Sequence, residues 1–112
     1  MSRPRVTAQA VREAARAGRW AMTYHARLRS RRRMIRDRDV TWALAEAEIL
    51  EEYPDDPRGP SALVLGHAED GRPIHAVCAF DESGTLLLIT VYEPGPPKWI
   101  DERTRAQKGE QE

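Results

Sequence analysis

The sequence predicts an α+β domain in which N-terminal helices pack on one face of a mostly antiparallel four-stranded sheet. Apolar residues at helical spacing are confined to the first 48 positions, whereas proline, glycine and aspartate interrupt the later sequence every eight to twelve residues. Because helices precede strands rather than alternating with them, they are expected on one sheet face. At 112 residues the chain is the size of one domain. We therefore expect a single domain over residues 1–105 and a polar, flexible tail over 106–112.

Three helices are predicted before residue 48. Thr7 and Thr23 are good N-caps for the first two helices, and the first runs to about Ala17. The third begins after positions 36–37 and carries apolar residues at i, i+3, i+4 and i+7. These are Val40, Ala43, Leu44 and Ala47.

Four strands are predicted near residues 49–53, 61–65, 74–80 and 85–92. Asp70-Gly71 is a strong hairpin signal, so the second and third strands should be antiparallel neighbours, and the third and fourth likewise. Strict alternation places His75 and Ile74 on opposite faces of the sheet. The same alternation places Thr90 and Tyr92 on the face of Leu86 and Leu88.

The formal net charge of zero conceals a strong asymmetry. Residues 1–40 hold twelve Arg and three acids, for a charge of +9, and residues 41–112 hold six basic and fifteen acidic residues, for −9. Seven of the twelve arginines lie between Arg27 and Arg38. Such clustering points to a polyanionic partner, although sixteen of the eighteen basic residues are Arg, a bias that a GC-rich genome also produces.

Cysteine content and hydropathy limit the cellular locations that are expected for the protein. Cys78 is the single cysteine, so no intrachain disulfide can form. The N-terminus has no apolar signal-peptide stretch, and no apolar run approaches the roughly 20 residues of a membrane span. A cytoplasmic protein without a membrane-spanning segment is expected.

The second helix carries the most informative side chains. At 100° per residue Tyr24, Leu28 and Ile35 form one apolar stripe. One histidine and three arginines lie on the flank beside it, namely His25, Arg29, Arg32 and Arg33. Histidine can exchange a proton near neutral pH, and guanidinium groups match phosphate oxygens in bidentate geometry. These are the parts for phosphodiester chemistry, although an Arg-rich helix face is more often only a solvated surface.

Outside the second helix, the candidate functional residues occur singly. His75 is a lone strand histidine, which is more often structural, and the phenol of Tyr92 could donate a proton or merely cap the core. Trp42 and Trp99 could pack on the sheet edge or face a partner protein. Because the chain has no HExxH, P-loop, GxGxxG or Cys/His metal spacing, no metal and no nucleotide cofactor is expected.

Short motifs spread over about residues 20–105 resemble a bacterial family of domains of unknown function. They are HAxxRxxxRxI from His25, DVxxAL from Asp39, ExYP from Glu51, LVLG from Leu63, GRPIH from Gly71, ITVY from Ile89, and Trp99. That family is similar to the RelE/ParE and MqsR group of toxins from type II toxin-antitoxin modules. One departure is Met34, which stands where relatives commonly carry glycine.

The resemblance implies an activity and a partner. Members of the wider toxin group are mostly metal-independent mRNA interferases, ParE-like members poison gyrase, and relatives are often encoded beside a small zinc-finger antitoxin of the MqsA (YgiT) type. It also implies that two sets of residues belong to the family's motifs. The helix motif contains His25, Arg29 and Arg33, and the strand motifs contain His75, Thr90 and Tyr92.

The leading hypothesis is a toxin that cleaves RNA or ribosome-bound mRNA through the ribose 2′-hydroxyl, without a metal. His25 or His75 acts as general base, Arg29 and Arg33 neutralise the phosphorane, and Tyr92 or the other histidine protonates the 5′-oxygen. Four further arginines are expected to hold the RNA backbone, namely Arg27, Arg31, Arg32 and Arg36. The alternatives are a non-catalytic toxin directed at gyrase, a nucleic-acid-binding regulator, and a degenerate member that only forms complexes.

Overall fold

The structure, a computed structural model, describes residues 3–106 and has the predicted α+β architecture, with three helices and five strands. The helices are α1 (Ala8–Arg16), α2 (Tyr24–Arg32) and α3 (Asp37–Leu44). The strands are β1 (Trp20–Met22), β2 (Glu48–Tyr53), β3 (Ser61–His67), β4 (Pro73–Phe80) and β5 (Leu86–Tyr92). Residues 107–112 of the predicted tail lie outside the described residues.

The five strands form one mixed sheet in the order β1-β5-β4-β3-β2. Strands β2 to β5 pair antiparallel with their sequence neighbours, which confirms the pairings predicted for β3 with β4 and for β4 with β5. The turn between β3 and β4 spans Ala68 to Arg72 and contains the predicted Asp70-Gly71. The prediction of four strands is wrong because β1 adds a parallel edge strand, with Trp20 opposite Leu86. Three residues are too few to show a two-residue alternation, and the pairing that makes them a strand is with a distant segment.

Helices α1 and α2 confirm the two predicted N-caps. Oγ1 of Thr7 accepts a hydrogen bond from Ala10 N at 3.1 Å, and Oγ1 of Thr23 accepts one from Ala26 N at 3.2 Å. Each bond satisfies a backbone donor that the first turn of a helix leaves free. Within the described part of the chain, no helix combines the length and the apolar character needed to cross a membrane.

The helices cover one face of the sheet, with α3 over β3 and α2 over β5. The core between them holds Val40, Ala43 and Leu44 of α3, as the helical spacing predicts. The backbones approach closely at Gly66 of β3, where an added Cβ would lie 2.0 Å from the carbonyl oxygen of Ala43. Only glycine therefore lets α3 lie directly on this strand.

The face of α2 that meets the sheet is not its apolar stripe of Tyr24, Leu28 and Ile35. Its buried residues are Ala26 and Ser30, whereas Tyr24 is 77% exposed and Leu28 is 37% exposed. Of the predicted stripe, Ile35 alone joins the core. Small side chains at i and i+4 let the helix lie close to β5, and Ser30 remains satisfied because its Oγ donates to the carbonyl of Arg27 at 2.9 Å.

A bulge in β5 overturns the predicted alternation of that strand. Thr90 pairs with Val77 and Leu88 pairs with Cys78, so one extra residue, Ile89, lies between two consecutive partners on β4. Leu88 is therefore in the core under the helices, while Thr90 joins the opposite sheet face. The predicted grouping of Thr90 and Tyr92 with Leu86 and Leu88 is wrong, since sequence alone does not reveal a bulge.

The opposite sheet face is lined by His75 and Tyr92, which pair directly across β4 and β5. The predicted separation of His75 from Ile74 is confirmed, because Ile74 lies in the core under the helices. The candidate site residues of the strands, His75, Thr90 and Tyr92, thus lie on the face that the helices do not cover.

Met34 ends α2 in the left-handed conformation that glycine favours, with φ at 57°. Its N–H donates to the carbonyl of Arg31 at 3.2 Å, and the N–H of Ile35 donates to the carbonyl of Ser30 at 2.9 Å. These two bonds are the Schellman arrangement, in which glycine usually holds the position of Met34. The helix therefore ends where a glycine would end it, although the backbone of a residue with a Cβ is strained in this conformation.

We expect Met34→Gly to raise the free energy of unfolding by about 0.5–1 kcal/mol, because relief of the left-handed strain exceeds the added freedom of the unfolded chain. The side chain is 71% exposed, so little packing is lost. Urea denaturation measures the change, with Met34→Ala as control because alanine retains the strain. Equal stability of the two variants would show that Met34 is not strained.

Candidate functional site

A C-terminal strap, residues 94–106, crosses the sheet face that the helices leave uncovered. Trp99 is buried within it, and two ion pairs fasten it to β2. Arg103 binds Glu48 at 2.6 Å, and Arg105 binds Glu51 through two bonds of 3.0 and 2.8 Å. The strap has a fixed place on the sheet up to residue 106, which is the first residue of the tail that the sequence predicts to be flexible.

The imidazole of His75 lies at the centre of the contact between strap and sheet and has no solvent exposure. Its Nε2 lies 2.7 Å from the carbonyl oxygen of Glu102, and its Nδ1 lies 3.2 Å from the hydroxyl of Tyr92. A carbonyl only accepts, so Nε2 carries the proton, and in the neutral ring Nδ1 accepts from Tyr92. The indole of Trp99 packs edge-on against the ring, with centroids 4.5 Å apart.

Burial determines the protonation states of His75 and Tyr92. It lowers the pKa of His75 and raises the pKa of Tyr92, in each case because it disfavours the charged form. A hydrogen bond from Trp99 acts on Tyr92 in the opposite direction, with a smaller effect. Near neutral pH the pair is a neutral imidazole beside a neutral phenol.

Glu51 anchors the strap from the β2 side. Besides Arg105 it accepts a hydrogen bond from the hydroxyl of Tyr53. The hydrogen bonds from Arg105 are the main reason that the pKa of this carboxyl lies below its usual range. The guanidinium of Arg105 also lies over the ring of Trp99, 4.6 Å from its centroid. One arginine thus connects the sheet edge to the indole that covers His75.

A cleft of about 640 Å³ lies between α2, the end of β5 and the strap. Four cations and one carboxylate line it, and they are Arg29, Arg33, Lys98, Arg105 and Glu93. Thr90, Tyr92 and Trp99 supply a hydroxyl, a phenol and an indole to the same walls. Its excess of positive charge suits an anionic ligand.

Arg33 is oriented by the sheet. Its Nη1 donates to the carbonyl of Val91 at 2.7 Å, which leaves the other guanidinium donors for a ligand. The end of α2 thereby reaches the end of β5. Among residues 3–106, neither Arg29 nor Arg33 forms an ion pair with a carboxylate.

The structure brings together most of the predicted catalytic residues. Arg29, Arg33 and Tyr92 line the cleft, and His75 lies directly behind Tyr92. His25 is not in the cleft lining. It lies one turn before Arg29, is exposed, and contacts the ring of Tyr24 edge-on at a centroid distance of 5.9 Å.

The arginines predicted to hold RNA divide between surfaces. Arg27, Arg31 and Arg36 surround a separate hollow of about 360 Å³ between α2 and α3, where Arg27 is paired with Asp37. Arg31, Arg32 and Arg36 are exposed, and no carboxylate of the described residues pairs with them. None of these four arginines lines the cleft that contains Tyr92.

Sequence reasoning missed Lys98 and Arg105, which form the strap side of the cleft. Both lie in a segment rich in proline and charge that predicts no regular structure. The available signal is Trp99, whose large apolar ring within a polar segment indicates an anchoring point on the domain.

Stability should depend on pH through His75. Its pKa is lowered in the folded state, so the unfolded chain binds more protons below about pH 6.5, and stability falls as the pH drops through that range. We expect the free energy of unfolding, measured by urea denaturation, to decrease from about pH 7.5 to about pH 5.5 in the native chain. His75→Gln should lose most of this slope, and the exposed control His25→Gln should retain it. The opposite pattern would contradict the burial effect.

Comparison with protein families gives one match. A family model described as a domain of unknown function (DUF4258) matches residues 22–93. Comparisons with curated proteins and with solved structures give no significant match. The matched range runs from the end of β1 to the residue after β5, so it contains α2 and Tyr92 but neither α1 nor the strap. Because the match covers more than half of the chain, this chain belongs to the DUF4258 family of domains of unknown function.

Proposed function

We propose that this protein is a metal-independent endoribonuclease and the toxin of a type II toxin-antitoxin module. The observation that carries the nuclease proposal is the cleft in which Arg29, Arg33 and Tyr92 converge, with His75 hydrogen-bonded behind the phenol. The toxin proposal, and with it a RelE/ParE-like fold, rests on the likeness of the sequence motifs to that toxin group.

The two arginines of α2 bind the scissile phosphate in this scheme. Arg29 and Arg33 are four residues apart, so their side chains emerge side by side on the helix flank that borders the cleft. Neither forms an ion pair among the described residues, and guanidinium groups can bind two phosphate oxygens at once. They stabilise the negative charge that grows on the phosphorane.

Tyr92 and His75 act together as the base. Because the phenolic proton is directed to Nδ1 of His75, the phenolic oxygen can accept the proton of the ribose 2′-hydroxyl while its own proton moves to Nδ1. The 2′-oxygen then forms a bond to phosphorus. The imidazolium produced is held by the carbonyl of Glu102, which already accepts from Nε2. His75 thus acts through Tyr92, without contact with RNA.

Breakage of the bond between phosphorus and the 5′-oxygen requires one proton on the leaving oxygen. Lys98 lines the cleft and supplies this proton in our scheme, whereas His25 lies outside the lining. The products are a 2′,3′-cyclic phosphate and a 5′-hydroxyl. The proposed partners are RNA or ribosome-bound mRNA and a cognate antitoxin, which we propose is a small zinc-finger protein of the MqsA (YgiT) type.

Purified, antitoxin-free protein should cleave RNA in the presence of EDTA, and mass spectrometry should find cyclic phosphate ends. Arg29→Ala should lower the cleavage rate by about 10²-fold or more, because one donor to the phosphorane is lost. Tyr92→Phe should have an effect of about 10²-fold through loss of the phenolic oxygen. The exposed Arg19→Ala is the matched control and should cleave normally.

Two results would contradict the nuclease proposal. One is equal cleavage by the native chain, Arg29→Ala and Tyr92→Phe. The other is absence of cleavage by the native chain on free RNA and on translating ribosomes. RNA binding that falls with salt but hardly changes between about pH 6 and pH 8, without cleavage, would favour the regulator instead.

The source of the leaving-group proton can be tested with a substrate whose 5′-bridging oxygen is replaced by sulfur, since a thiolate leaves without protonation. Lys98→Ala should slow cleavage of ordinary RNA by about 10²-fold and cleave the sulfur substrate at the native rate. His25→Ala should cleave both substrates at nearly the native rate. Rescue of His25→Ala by the sulfur substrate, and no such rescue of Lys98→Ala, would transfer the role to His25.

A further inference from the structure

The cleft continues along the molecular surface beyond the proposed reaction site. A basin of about 460 Å³ shares Arg33 and Glu93 with the cleft and extends to Arg36 and Arg38. A hollow of about 240 Å³ then shares Arg38 with the basin and ends at Trp42. We call the basin and the hollow together the extended groove.

The carboxylates of the basin are already bound to one arginine. Arg72 donates to Asp39 at 3.0 Å, to Asp70 at 2.9 Å and to Glu93 at 2.9 Å. In contrast, Arg36 and Arg38 form no ion pair within residues 3–106. The lining of the groove holds four arginines and, with Glu69 of the hollow, four carboxylates, so its formal charges balance. What the groove offers a phosphate is the hydrogen-bond donors of Arg36 and Arg38, which follow those of the cleft along the surface.

Trp42 lies at the far end of the groove with its side chain 54% exposed. The core-facing residues of α3 are Val40, Ala43 and Leu44, so the indole is on the side of the helix turned away from the sheet. Arg38 lies one turn earlier and borders the same hollow. A cation next to an exposed aromatic ring is the combination that binds the phosphate and the base of an unpaired nucleotide.

We propose that the extended groove binds single-stranded RNA beyond the cleaved bond, with Arg36 and Arg38 on phosphates and Trp42 stacked on a base. This inference rests on the proposed nuclease function, because it extends the strand that occupies the cleft. An unpaired strand is required, since the bases of a duplex are already stacked on one another and offer no free face to the indole. Arg38 and Trp42 thereby determine a preference for longer substrates without taking part in the reaction.

A protein segment is the competing occupant. Trp42 also borders a more apolar hollow beside Ala15 and Ala45, which could receive an apolar side chain. The continuity with the cleft and the unpaired arginines favour RNA, and the test below separates the two.

Fluorescence anisotropy with a 2′-O-methyl RNA oligomer of about ten nucleotides measures binding without cleavage, since the attacking hydroxyl is blocked. Trp42→Ala should weaken binding at least about fivefold, as loss of one stacked base does, and Trp42→Phe should change it less than about twofold. Arg38→Ala should weaken binding and reduce its salt dependence, whereas the control Arg58→Ala should do neither. With cleavable RNA, Trp42→Ala should raise KM for the long oligomer and leave the cleavage rate of a dinucleotide unchanged.

The outcomes distinguish this inference from the proposed function. Weaker binding by Arg29→Ala with native binding by Trp42→Ala and Arg38→Ala would retain the cleft and overturn the extended groove. Equal binding of duplex and single-stranded RNA, or native RNA binding by Trp42→Ala, would overturn the stacking role and leave protein docking as the use of Trp42. Absence of cleavage by the native chain, together with weaker RNA binding by Trp42→Ala, would overturn the nuclease proposal alone.

Discussion

The arrangement of the proposed site depends on one buried imidazole. His75 has no contact with solvent, so both of its nitrogens need partners, and the sheet supplies one, Tyr92, while the strap supplies the other, the carbonyl of Glu102. An unpaired polar group at this depth would cost about 1–3 kcal/mol. The requirement therefore ties the strap to the sheet and directs the phenolic proton inward. The same two bonds hold one wall of the cleft and orient its phenol.

The cleft is built from two unlike parts of the chain. Arg29, Arg33 and Tyr92 belong to the part that matches the DUF4258 family, whereas Lys98 and Arg105 belong to the strap, which follows the matched range. The part that matches the family supplies α2 and β5 to the cleft. Without the strap, it would leave one sheet face uncovered. The strap covers that face and adds Lys98 and the Arg105 that is paired with Glu51, so the depth of the cleft and part of its charge come from outside the family match.

The charge asymmetry of the chain acquires a structural meaning. Within residues 41–106, four of the five lysines and arginines are paired with acids of the same half, as in the pairs of Arg103 with Glu48 and of Arg105 with Glu51. Among residues 3–106, the arginines of α2 and of the following turn have no such partner, apart from Arg27. A chain of zero net charge therefore presents a positive surface, and that surface is the one we propose binds RNA.

The sequence by itself determined the features that depend on near neighbours: the capped starts of α1 and α2, the apolar face of α3, the turn at 70–71, and the helix flank that carries Arg29 and Arg33. These follow from hydrogen bonds and periodicities within a few residues. Only the tertiary structure decided that β1 joins the sheet, that the bulge at Ile89 turns Thr90 and Tyr92 away from the helices, and that Ala26 and Ser30 rather than Tyr24 face the sheet. It also decided that the strap closes over His75. Each of these features is a contact between distant segments, in which close packing and the pairing of buried polar groups outweigh local pattern, so no window of the sequence contains it.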